Sequence, residues 1–99
     1  MSDDAGFAPP SFKPDEALAR LKRELRDLGL TEREGVFERR GLAIARVRID
    51  GGQLSAARVD RPSRNSPSWR PRTLASSAAV RDYVAELKKA LLLWGDRDD

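Results

Sequence analysis

The sequence predicts an α+β domain with the element order α-β-β-β-α, in which two helices pack on one face of a three-stranded antiparallel meander. Three observations predict this fold class. Apolar residues repeat at helical spacing in two segments, one near each end of the chain. Between them, short alternating segments are separated by glycine-containing turns. The length of 99 residues suits one domain, and a hydrophobic content of 39% allows a modest core.

The first helix is predicted to begin at Pro14, because a proline at the first helical position lacks only an N–H that the helix does not use. Its apolar stripe consists of Leu18, Leu21, Leu25 and Leu28. Gly29 suits the left-handed position that follows a helix, and we expect Leu30 to pack back on Leu25. The helix is therefore predicted to end in a Schellman motif.

Three strands are predicted in the middle of the chain, at Gly35–Arg39, Leu42–Asp50 and Gln53–Asp60. The first two are separated by Arg40-Gly41, which is a plausible tight turn. The last two are separated by Gly51-Gly52, a strong signal for a two-residue hairpin. The strands are therefore expected to pair antiparallel and in chain order.

Alternation along these strands assigns their side chains to two faces of the sheet. The face expected to pack under the helices carries Ala43, Ala45, Val47, Ile49, Leu54 and Ala56. The face expected to be partly wet carries Phe37, Arg39, Leu42, Ile44, Arg46, Arg48, Ala57 and Val59. A register change of one residue would exchange the two faces.

The second helix is predicted from about Ser77 to Trp94, with Ser76 or Ser77 as its N-cap and Gly95 at its end. Its apolar stripe consists of Val80, Tyr83, Val84, Leu87, Ala90, Leu91 and Trp94. The folded domain is thus expected to span residues 14–95. Residues 1–13 are predicted to be a disordered or loosely docked tail, and residues 96–99 a disordered acidic tail.

The residue types argue against an enzyme. Neither Cys nor His occurs, which excludes thiol nucleophiles, imidazole bases and the usual zinc ligands. Asp50 and Asp60 would lie about 20 Å apart in the predicted hairpin, too far to share a metal ion. We therefore expect no catalytic residue, no metal and no cofactor. The start of the chain lacks a signal-peptide pattern and the longest apolar run, Ala90 to Trp94, cannot span a bilayer, so we expect no membrane association and a cytoplasmic location.

The charge is concentrated in the middle of the chain. The net charge is +3, but residues 33–72 carry ten basic and four acidic residues, or +6. This region includes the loop "RPSRNSPSWRPR", Arg61 to Arg72, whose prolines make it stiff. We predict a binding module for nucleic acid or another polyanion. Its candidate contact residues are Arg39, Arg46, Arg48, Arg61, Arg64, Trp69, Arg70 and Arg72.

A structural interpretation of the same residues remains open. The loop would then be a solvated crossover from the third strand to the second helix, with Trp69 buried as an anchor. The sheet arginines would pair with Glu38, Asp50 and Asp60. The exposure of Trp69 distinguishes this interpretation from the binding site.

The end of the second helix predicts an alternative function. Leu92 and Leu93 lie off the main apolar stripe and, with Trp94, make the last turn apolar almost all round. These three residues are candidates for binding a protein partner or a second copy of the chain. The remaining possibility is that Phe7 or Phe12 of the N-terminal tail covers them.

Overall fold

The computed structural model describes residues 12–95, which form two helices and a five-stranded antiparallel sheet. The fold is therefore α+β, and the strands follow one another across the sheet in chain order. The helices are α1 (Pro14–Asp27) and α2 (Ser77–Gly95). The strands are β1 (Thr31–Arg33), β2 (Val36–Arg39), β3 (Leu42–Asp50), β4 (Gln53–Val59) and β5 (Trp69–Leu74).

The predicted three-stranded meander was wrong, because a strand was missed on each side of it. β1 has only three residues, and it reaches β2 through a turn at Glu34-Gly35 in which both residues have positive φ. β5 contains Pro71 and two arginines, a composition that resembles a loop. An edge strand tolerates proline because its missing N–H can face solvent. Both missed strands are edge strands of the sheet.

The helix ends were predicted correctly. At the end of α1, the N–H of Leu30 donates to the Leu25 carbonyl and that of Gly29 to the Arg26 carbonyl, which is the Schellman pattern. Gly29 has a φ of 93°, a conformation that costs glycine little. At the start of α2, the Ser76 hydroxyl accepts a hydrogen bond from the Ala79 N–H at 3.1 Å.

Both helices lie on the same face of the sheet. Phe37, Ala45 and Arg58 are partners across β2, β3 and β4, so their side chains share a face. Glu32, opposite Phe37, forms ion pairs with α1, and Arg58 forms one with Glu86 of α2. We call this the helix-covered face, and the opposite face the open face.

A β-bulge changes which side chains of β2 and β3 lie on each face of the sheet, so part of the predicted assignment was wrong. The register shifts between Phe37 and Glu38 of β2, which leaves Ile44 of β3 as the extra residue opposite them. Ile44 and Ala45 are consecutive and both buried. The residues before the bulge, Arg39, Leu42 and Ile44, therefore belong to the helix-covered face with Ala45 and Val47. Simple alternation predicts those three and Phe37 on the wet face, and it predicts Ala43, which is opposite Glu38, on the covered face. These assignments were wrong.

The core lies between the helices and the sheet. Its largest fully buried side chains are Tyr83, Phe37, Leu21, Leu25, Ile44, Leu54, Leu74, Leu87 and Val59. Phe12, the first described residue, packs against this cluster. The predicted acidic tail and all but the last two residues of the predicted N-terminal tail lie outside the described residues. Within residues 12–95, neither helix is long and apolar enough to cross a membrane.

Candidate polyanion-binding face

The open face carries an unusual combination of buried apolar residues and exposed arginines. Arg46 of β3 is opposite Ala57 of β4, which is opposite Pro71 of β5. Val59 is opposite Trp69 in the same two strands. Although no helix covers this side, Ala57 is only 4% exposed and Val59 is 0% exposed. Something on the open face itself must cover them.

Trp69, the direct partner of Val59, packs against the core cluster that includes Val59. The Arg46 guanidinium lies 4.4 Å from the centroid of the Trp69 ring, a cation–π contact. β3 and β5 lie about 10 Å apart, since β4 runs between them and neighbouring strands are about 4.8 Å apart. The Arg46 and Trp69 side chains therefore meet over β4, between the two strands that carry them. Trp69 is half-buried, and Arg46 is exposed.

The loop between β4 and β5, residues 60–68, is held at both ends. The Asp60 N–H donates to the Ser68 carbonyl at 2.8 Å, and the Ser63 hydroxyl accepts from the Asn65 N–H at 3.2 Å. Ser63, Arg64 and Pro67 line a cleft of about 490 Å³ together with the β2–β3 turn and Ala43. The loop therefore lies against the beginning of β3, and Arg61 and Arg64 are exposed on it.

Three of the predicted contact residues have partners within the fold instead. Arg39 donates from Nη1 to the Leu91 carbonyl at 3.3 Å, near the negative end of the α2 dipole. Arg70 forms an ion pair with Asp60, and Arg72 forms one with Glu86. All three belong to strand positions on the helix-covered face.

Glu86 of α2 is the centre of a charged cluster at the β4–β5 edge. Arg58 Nε lies 2.7 Å from its carboxylate, and Arg72 contacts its other oxygen. Burial by itself would raise the pKa of Glu86, but the hydrogen bonds and charges of the two arginines outweigh it and lower the pKa. Burial, followed by the charge of Glu86, raises the pKa of Tyr83, whose hydroxyl donates to the Ala57 carbonyl at 2.7 Å. These contacts attach α2 to β4 and β5.

The remaining candidates share one property. Within residues 12–95, the arginines that form no ion pair with a carboxylate include Arg46, Arg48, Arg61 and Arg64. Arg46 and Arg48 belong to the open face, and Arg61 and Arg64 to the adjoining loop. With Trp69 they form what we call the Arg/Trp face. An exposed arginine without a carboxylate partner keeps its full capacity to bind an anion.

The last turn of α2 carries the three residues that were predicted to bind a protein partner, Leu92, Leu93 and Trp94. Leu92 is 69% exposed and Leu93 is 66% exposed, whereas Trp94 packs against the core. Leu92 also lines a shallow cleft with Leu28, Arg39 and Leu91. Two of the three predicted partner-binding residues are thus at the surface. Phe7, one of the two residues predicted as an alternative cover for them, lies outside the described residues.

Comparisons with family models, with curated proteins and with solved structures find no match to this chain. In the described part of the chain, no group of three or more Cys, His, Asp or Glu residues is placed to hold a metal ion. The interpretation of the site therefore rests on its own geometry.

The sequence alone missed two residues that shape the site. Ala57 is a buried residue of the open face, directly opposite Arg46, and Arg58 forms a partly buried ion pair with Glu86, the carboxylate that also pairs with Arg72. One weak signal was present in the sequence, because Trp69-Arg70-Pro71-Arg72 alternates between apolar and charged residues. If these residues are paired with β4, Trp69 and Arg46 fall on the same face.

Proposed function

We propose that this protein is a small non-enzymatic binding module that contacts nucleic acid or another polyanion through the Arg/Trp face. One observation carries the proposal, namely four exposed arginines on the open face and its adjoining loop that form no ion pair with a carboxylate of residues 12–95. The other arginines of the central region that were candidates, Arg39, Arg70 and Arg72, have partners and are not part of it. Polyanion binding through arginines is driven by the release of counterions and is therefore sensitive to salt.

The first prediction concerns that salt dependence. If four cations contact a single-stranded polyanion, the plot of log affinity against log salt concentration should have a slope of about −3. Replacing Arg46, Arg48, Arg61 and Arg64 together with Ala should abolish binding at low salt. Each single replacement should make the slope less steep by about 0.7. Fluorescence anisotropy with labelled DNA and RNA oligonucleotides measures both quantities.

The matched control removes charge from the helix side. Arg23 of α1 and Arg81 of α2 are exposed, and they lie on the other side of the molecule from the Arg/Trp face. Their double replacement with Ala should leave affinity and slope unchanged. The proposal is rejected if the unmodified protein binds no oligonucleotide at low salt, or if the control variant loses as much affinity as the Arg/Trp variants.

A second candidate function is self-association or binding of a protein partner through the last turn of α2. The observation that favours it is the exposure of Leu92 and Leu93, two adjacent large apolar side chains. A chain of this size buries a small core, so covering these residues would also add stability. Self-association through these residues would make the protein a dimer in solution.

A further inference from the structure

We propose that the polyanion is a single-stranded nucleic acid, and that the Arg46–Trp69 stack receives one of its bases. This inference rests on the proposed function and specifies its ligand. The stack is the only feature of the Arg/Trp face that simple charge attraction does not require, because a phosphate chain needs cations and no planar surface.

The geometry of the stack fits a base. The guanidinium of Arg46 lies over the Trp69 ring, 4.4 Å from its centroid, and Arg46 is exposed. The side of the guanidinium that faces away from the ring is therefore open to solvent. Unpaired bases stack on the planes of arginine guanidiniums and aromatic rings. A base placed there would extend the stack by one layer without uncovering Val59.

The charges beside the stack follow β3. Arg64 lines the cleft with Ala43, Arg46 lies three residues further along the strand, and Arg48 lies two residues beyond. At about 3.4 Å per residue, these positions span about 17 Å along one strand. Two carboxylates share this face, Glu38, which forms an ion pair with Arg33 at 3.9 Å, and Asp50 at the far end of β3. The arrangement suits an extended phosphate backbone on the side of Arg64, Arg46 and Arg48, with its bases turned toward the stack.

An unpaired strand is favoured over a duplex because of the stack. In a duplex, every base is stacked between its neighbours and its ring faces are hidden. A duplex would use the arginines and leave the Arg46–Trp69 surface without a partner. A single strand would use both, and its affinity should therefore exceed that of the duplex and of a base-free polyanion.

Two substitutions that preserve charge test the inference. Arg46→Lys and Arg48→Lys both keep a cation, but only the first removes the guanidinium plane above Trp69. The probes are a mixed-sequence oligonucleotide of about 12 nucleotides, its duplex and inorganic polyphosphate. The probe length lies within known single-strand site sizes. We expect the unmodified protein to prefer the single strand, Arg46→Lys to weaken that binding roughly 5- to 50-fold, and Arg48→Lys to change it by about two-fold or less.

Tryptophan fluorescence gives a second readout of base stacking. The chain has two tryptophans, so a Trp94→Phe background leaves Trp69 as the sole reporter. The single strand should quench its emission, whereas polyphosphate, which has no bases, should bind without quenching. Circular dichroism of each variant verifies that it is folded.

The outcomes separate the inference from the proposed function. Equal affinity for all three probes, preference for the duplex, or equal effects of the two lysine substitutions would overturn the single-strand inference while leaving polyanion binding intact. Failure of all three probes to bind at low salt would overturn both.

Discussion

Glu86 binds the two arginines that attach α2 to the sheet, and these differ from the arginines of the Arg/Trp face, which form no such ion pair within residues 12–95. Its carboxylate holds Arg58, whose side chain is 15% exposed, and Arg72, whose side chain is 42% exposed. Both arginines belong to the helix-covered face and connect α2 to β4 and β5. Without Glu86, a largely buried guanidinium would lack its counter-charge, which is costly in the protein interior.

Replacing Glu86 with Gln should therefore lower the free energy of unfolding by about 1–3 kcal/mol at pH 7. Urea denaturation followed by circular dichroism measures the loss. The control is Glu24→Gln, since Glu24 forms an exposed pair with Arg20 at 3.6 Å. That substitution should cost about 0.5 kcal/mol or less.

The stabilities of the unmodified protein and of the Glu86→Gln variant should depend differently on pH. Because the pKa of Glu86 is lower in the folded chain than its ordinary value of 4.5, its contribution is complete above that value. The contribution is lost as the pH falls through the lowered pKa. The stability difference between the unmodified protein and Glu86→Gln should thus shrink in acid, and a difference that persists unchanged at pH 2 would contradict this role.

At the scale of whole elements, β5 places Trp69 on the open face, and it was the hardest element to predict. Its six residues include a proline and two arginines, and these were interpreted as the end of a loop. The hydrogen bonds of a sheet edge tolerate such residues, so local propensity gave the wrong answer there. Trp69 has features of both interpretations, because it is half-buried against the core cluster and its ring also contacts the exposed Arg46.

The helices and the central hairpin were predictable because local signals and tertiary packing agree in them. Pro14 and Gly29 define α1, Ser76 caps α2, and Gly51-Gly52 forms the turn between β3 and β4. The bulge at Ile44 was not predictable, because alternation alone cannot show where a strand gains a residue. Its consequence was to move Arg39 from the proposed binding face to the helix-covered face.

The last turn of α2 supports a prediction about self-association. If Leu92 and Leu93 form an interface, sedimentation velocity should show a dimer, and the double variant Leu92→Glu/Leu93→Glu should be a monomer. Since both side chains are exposed, that variant should change the stability of the monomer by less than about 0.5 kcal/mol. A control, Leu91→Ala, removes a buried side chain and should cost about 2–5 kcal/mol. An unmodified protein that is monomeric at all concentrations would exclude self-association through these residues.

At the scale of the whole molecule, the two faces of the sheet have different compositions for a physical reason. The helix-covered face holds the core, and its arginines are paired with Glu86, Asp60 or a helix carbonyl. Among the described residues, no buried side-chain polar atom lacks a hydrogen-bond partner. On the open face, Trp69 packs against the core cluster. The exposed Arg46 and Arg48 of this face form no ion pair with a carboxylate of the described residues, and we propose that they bind the polyanion.

The measurement that tests this claim most directly is an NMR titration of the ¹⁵N-labelled full chain with a single-stranded oligonucleotide of about 12 nucleotides. The two indole N–H signals provide an internal comparison, because Trp69 belongs to the Arg/Trp face and Trp94 to the end of α2. We predict that the Trp69 indole signal and the backbone amides around Arg46 and Arg48 shift, while the Trp94 indole signal and the amides around Arg81 do not. Shifts confined to α2, or no shifts at low salt, would contradict the account.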